Sequence, residues 1–216
     1  MLAMMGDRLR PLWNFDDLEA SDQRFRAQLD NETSDEGRAE VLTQLARVHG
    51  LRDQFAEGDR LIDEAAVLAG PSVIANIRIE LERGRLRRSS GDVAAALPLF
   101  ESVYEHAVEA GELFLAADAA HMAALAAPDR HAMLAWTKKG MCIAEASSDP
   151  QVYYWLGPLL NNLGSAHMDS REYEEALDCF QRSLEVRKRY PENADAIQFA
   201  KEAVVEALTA LGRAAP

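Results

Sequence analysis

Apolar residues recur along this chain at intervals of three and four, separated by polar residues, which is the pattern of amphipathic helices. Four stretches, starting at Leu42, Ile79, Ala119 and Leu159, share one plan. Each reads as an apolar helix with a small residue at its middle, a short polar break, and a second amphipathic helix. The small residues are Ala46, Gly84, Ala124 and Gly164, at steps of 38, 40 and 40. In three stretches another small residue follows twelve positions later, namely Gly58, Ala96 and Ala176. Four positions beyond it stands a large apolar residue, Ile62, Phe100 or Phe180. The third stretch lacks this match, because its break around Pro128 and Asp129 is shorter.

Packing accounts for the spacing. Two antiparallel helices approach closely only where small residues face each other at the crossing, and a large residue one turn on fills the space beside it. A single helical hairpin cannot bury its apolar face, so neighbouring hairpins must stack. The prediction is an all-α chain: four helix pairs over 36–192, an N-terminal arm and capping helix over 1–35, and a C-terminal capping helix over 193–216. The C-terminal cap carries Ile197, Ala200, Val204, Leu208 and Leu211 on one stripe. The N-terminal stripe of Leu18, Phe25 and Leu29 is weaker and follows Trp13 and Phe15. This arm either packs on the first helix pair or docks on a second copy or a partner. Residues 30–36 read as a polar linker.

The fourth stretch, with Leu160, Leu163, Gly164, Tyr173, Ala176, Phe180 and Pro191, resembles the tetratricopeptide repeat. The first, with Leu42, Leu45, Ala46, Gly58, Ile62, Ala65 and Pro71, is also similar; the second matches less well and the third least. The period near 40, together with the Asn161–Gly164 run, resembles the longer repeats of kinesin light chains and many bacterial proteins. The resemblance implies a right-handed superhelical solenoid of about four such units plus capping helices. It also implies a protein-binding role, with the first helix of each pair lining a concave groove.

By that resemblance, four positions per unit project into the groove. They include Arg47, Arg78, Arg85 and Arg88 in the first two units, Asp118 and His121 in the third, and Asn161 and Ser165 in the fourth. The N-terminal half of the groove is then expected to be basic and to hold an acidic peptide or a chain terminus, because guanidinium groups grip carboxylates in pairs of hydrogen bonds. The alternative is that these arginines are solvated or paired with Glu40, Glu80 and Glu82. No lysine falls at the groove positions, which departs from the lysine and asparagine clamps that hold chaperone tails.

Charge narrows the picture further. The 216 residues include 36 acidic and 23 basic ones, a net charge of −13. Such a surface repels nucleic acid and anionic lipid. No apolar run approaches the roughly 18 residues of a membrane span. Asp7, Arg8 and Arg10 arrive too early for a secretory leader, so a cytoplasmic protein is expected.

Cys142 and Cys179 read as buried thiols, since two isolated cysteines do not make a zinc site. His49 and His167 occupy equivalent places in their units and read as packing residues. The sequence carries no phosphate loop and no nucleophile signature. No enzyme activity, metal or cofactor is expected. The reading is therefore an adaptor or scaffold for a peptide or protein. A regulatory peptide-sensing module acting in trans and a self-assembling subunit stand as alternatives.

Overall fold

The computed structural model describes residues 7–214. Among them there is no strand. After a single 3-10 turn at Arg10–Leu12 come eleven helices: α1 Leu18–Asn31, α2 Asp35–Leu51, α3 Phe55–Ala69, α4 Val73–Ser89, α5 Val93–Ala110, α6 Leu113–Ala126, α7 Arg130–Ala146, α8 Pro150–Tyr154, α9 Leu156–Asp169, α10 Tyr173–Arg187 and α11 Ala194–Ala210. Short polar side chains begin many of them. Asp17, Ser34, Ser72, Asp92 and Asp129 each accept a hydrogen bond from an otherwise unpaired first-turn amide. The fold is an all-α helical repeat in which consecutive helices pack as neighbours from α1 to α6 and again from α7 to α11.

The chain forms two compact units, residues 1–126 and 127–216. The division falls inside the third predicted pair: α6 belongs to the first unit and α7 to the second. In unit 1, α2 pairs with α3 and α4 with α5, while α2, α4 and α6 neighbour one another in turn. Its core holds Phe25, Leu45, Ala46, Ile62, Leu86 and, from the N-terminal arm, Leu9. In unit 2, α9 pairs with α10, α7 packs on α9, and α11 covers α10. Ala176, Phe180, Val204 and Ala207 lie at the heart of that last contact.

The small residues sit where the spacing required them. A Cβ on Gly84 would come within 2.6 Å of the Phe100 ring, and one on Gly164 within 2.5 Å of the Phe180 ring. The equivalent helices also end alike. The amides of Gln54, Asp92 and Glu172 donate back to the carbonyls of His49, Arg87 and His167, at 2.9, 2.8 and 2.9 Å. The residue before each donor, Asp53, Gly91 or Arg171, takes a left-handed backbone conformation. Only the glycine adopts it without strain, so Arg171→Gly should stabilise unit 2 by about 1 kcal/mol. A thermal scan showing no gain would contradict this.

His49 and His167 make matching contacts at these ends, their Nδ1 atoms lying 2.6 Å from Gln54 Oε1 and Glu172 Oε2 respectively. Two expectations need correction. The polar stretch 30–36 is not a linker: α1 runs to Asn31 and α2 starts at Asp35, with Ser34 as its cap. Cys179 is buried but Cys142 is exposed. The buried stripe of α7 passes through Trp136, Gly140 and Ala144, and Cys142 falls on the opposite side of the helix.

Candidate protein-binding face

The first helices of unit 1 carry four of the predicted arginines, and three of those are tightly engaged by the protein itself. Arg85 on α4 is buried between Glu82 on the same helix and Asp118 on α6, and is bonded to both. Arg47 Nη1 lies 4.0 Å from Glu82 Oε1, so α2, α4 and α6 share one chain of alternating charges. Burial pushes the Glu82 carboxyl above the usual carboxylate range although Arg85 and Arg47 pull it back. Burial, aided by Arg85, lowers the Arg47 guanidinium to about 10.

Arg78 is 5% exposed. Its Nη2 donates to Asp7 Oδ1 at 2.8 Å, and its Nε lies 3.2 Å from Glu40 Oε2. Arg88 donates to the Leu125 carbonyl at 3.4 Å, tying the end of α4 to the end of α6. His121 on α6 is half-buried. On α9 in unit 2, Ser165 is exposed, and Asn161 is half-buried with its Oδ1 shut away from donors. The N-terminal half of the predicted groove is therefore not an open basic surface. Arg78, Arg85 and Asp118 are interior, because Asp7, Glu40, Glu82 and Asp118 neutralise the arginines in place.

What covers the α2 and α4 face is the protein's own arm, residues 7–15. Asp7 enters the Arg78 site. Arg8 donates to Glu32 at 2.6 Å and to Glu40 at 3.3 Å. Leu9 is 1% exposed. Trp13 donates from Nε1 to Gln44 Oε1 at 2.9 Å and stacks on Phe15, ring centres 4.6 Å apart. The Arg47 guanidinium lies over both rings, at 5.2 and 5.3 Å. The sequence pointed to Trp13, Phe15 and Arg47, but it marked Asp7 only as an early charge and gave no sign of Leu9 or Gln44. No local pattern announces a contact such as Asp7 with Arg78, which spans 71 residues.

Acid should loosen the arm. Burial would raise the carboxyls of Asp7 and Glu32, yet Arg78 in the first case, and Arg8 with Gln28 in the second, hold them below the ordinary range. Groups depressed in this way contribute stability above their unfolded value near 4 and lose it as pH falls through their folded values. Acidification below about pH 4 is thus expected to change the Trp13 emission, read as the difference between the native chain and Trp13→Phe. An unchanged difference spectrum down to pH 3, about one unit below the ordinary carboxylate value, would contradict this.

Among the described residues, no group of three or more His, Cys, Asp and Glu side chains is arranged to hold a metal ion. No helix among them is long and apolar enough to cross a membrane. A family model described as the tetratricopeptide repeat matches residues 158–190, which span nearly all of α9 and all of α10. The chain therefore contains a tetratricopeptide repeat, a repeat type that generally mediates contacts between proteins and serves as a non-enzymatic scaffold. Comparison with curated proteins found no match.

Proposed function

We propose that this chain is an adaptor that holds a segment of a partner protein, and that the face formed by α2 and α4 in unit 1 is where the segment lies. The observation that carries the reading is the arm. One short stretch of the chain, wound around the 3-10 turn at Arg10–Leu12, already fits this face through a carboxylate at Arg78, an aliphatic side chain in the core, and an aromatic pair beneath Arg47. A face that accepts such a segment from its own chain has the chemistry to accept one from another, acidic and aromatic in character. The tetratricopeptide repeat in unit 2 and the near-40-residue period, similar to kinesin-light-chain-like repeats, support the same class of role. The net charge of −13 speaks against nucleic acid and is compatible with a protein partner.

Arg47, Arg78, Arg85, Arg88, Asp118 and His121 have distinct parts in this reading. Arg47 and Arg78 touch the bound segment. Arg85, Asp118 and Arg88 hold α4 and α6 in register behind it, and His121 lies on the same helix as Asp118. Asn161 and Ser165 would serve a separate face on α9. The two alternatives differ in the consequence of binding. A sensor acting in trans would release the arm when a partner peptide arrives. A self-assembling subunit would exchange arms between copies.

The test is selection of displayed random peptides on the full chain carrying Asp7→Asn and Trp13→Ala, which weakens the arm's hold. Enrichment of sequences with an acidic residue followed by aliphatic and aromatic ones is expected, with loss on adding Arg47→Glu. Absence of enrichment, or enrichment indifferent to Arg47→Glu, would count against the proposed face.

A further inference from the structure

Unit 2 holds a buried cation that no carboxylate of the described residues balances. Arg187, the last residue of α10, is 8% exposed. The other two arginines buried to this degree among the described residues, Arg78 and Arg85, each lie against two carboxylates. Arg187 instead donates from Nε to Ser183 Oγ at 3.3 Å, and no carboxylate of the described residues pairs with it. This occurs in a chain with 36 acidic residues.

The arrangement around it is built. Ser183 is fully buried and donates to the Gly157 carbonyl at 2.8 Å, which fixes the oxygen that receives Nε. Gly157 stands in the first turn of α9, and a Cβ there would come within 3.2 Å of Arg187 Cγ and 3.6 Å of Nε. The missing side chain is what gives the arginine its channel. Tyr154 acts electrostatically on the guanidinium and is braced edge-on by Tyr190 and Trp155, at 5.3 and 5.9 Å between ring centres. Tyr190 is in turn tied to the Pro150 carbonyl at 2.6 Å.

A desolvated, unpaired guanidinium is costly to keep, and burial holds its pKa below the usual arginine value. The C-terminal carbonyls of α10 offset part of this cost, but the antiparallel start of α9 presents the opposite partial charge at the same end of the hairpin. The guanidinium has five N–H donors in a planar fork, of which Ser183 engages one.

We propose that Arg187 receives one carboxylate from a protein partner, either an acidic side chain or a chain terminus. A carboxylate matches the fork in geometry and the single positive charge in magnitude. A phosphate dianion would leave excess negative charge in the same poorly solvated place. The source of the carboxylate rests on the protein-binding reading above. The site does not, because it lies in unit 2 and uses none of the residues that hold the arm.

Acetate against chloride, at equal ionic strength, tests the site on the full chain. Acetate is expected to shift the Arg187 Nε–H resonance and to raise the melting midpoint. Arg187→Met should lose the acetate response and melt higher than the native chain in chloride, while Arg187→Lys should respond weakly. An Nε–H resonance indifferent to acetate, or an equal acetate response in Arg187→Met, would overturn the site whatever becomes of the α2 and α4 face. A short acetylated peptide with a free C-terminus, set beside its amide and an amide bearing an internal glutamate, then separates terminus from side chain as the source.

Discussion

Gly164→Leu is expected to unfold unit 2 under conditions where the native chain is folded, through a loss of about 3 kcal/mol or more. The first atom of the new side chain would sit 2.5 Å from Phe180 Cε1 and 2.6 Å from Cδ1, before any of the leucine's outer atoms are placed. Phe180 cannot swing away, since it is 2% exposed and is walled in by Ala176, Val204 and Ala207. The two helices must therefore separate, opening the contact that defines the pair. Thermal melting followed by circular dichroism reads the effect. Gly164→Ala combined with Phe180→Leu, which withdraws the clashing ring, should recover much of the stability. If Gly164→Leu cost under about 1 kcal/mol, the close crossing would not be the constraint on this position.

Arg85→Met is expected to cost unit 1 about 3–5 kcal/mol, far more than the lost contacts of one surface arginine would. The substitution fits the volume but strands Glu82 and Asp118 in the interior. Arg47 is then the one cation of the cluster, 4.0 Å from Glu82. Glu82 already has its Oε2 buried without a hydrogen-bond donor, so it has no second partner in reserve. Adding Glu82→Gln and Asp118→Asn to Arg85→Met removes the stranded charges and should return most of the loss, because replacing a whole buried ionic cluster is commonly near neutral. Urea unfolding at pH 7 of the single and triple variants measures both. Equal stabilities for the single and triple variants would show that the cluster is solvated after all.

Much of the fold could be read from the order of residue sizes. Gly84 before Phe100 and Gly164 before Phe180 state a close helix crossing in one dimension, because the crossing is local and steric. The charged cluster could not be read in this way. Arg85 and Asp118 are 33 residues apart, and an arginine on a helix looks the same in sequence whether a ligand or an aspartate waits opposite. The expected basic groove gave way to the alternative of pairing with Glu40 and Glu82 on α2 and α4 themselves, and the remaining acids, Asp118 on α6 and Asp7 in the arm, lie too far along the chain to be counted with them. Cys142 shows the same limit on a smaller scale. Apolar neighbours suggested burial, and only the angle between it and Gly140 on α7 decides the matter. Arg187 gave no signal at all, since its distinction is the carboxylate it lacks.

The role assigned to the α2 and α4 face turns on whether that face can hold a segment supplied in trans. Titration of a synthetic peptide of residues 7–16 into the native chain and into the Asp7→Asn/Trp13→Ala variant, followed by calorimetry, measures this directly. The expected result is saturable binding to the variant, abolished by adding Arg47→Glu, with little or no binding to the native chain, whose arm already occupies the face. Failure of the peptide to bind a variant that remains helical would contradict the assignment and leave the arm as a cap on the first helix pair.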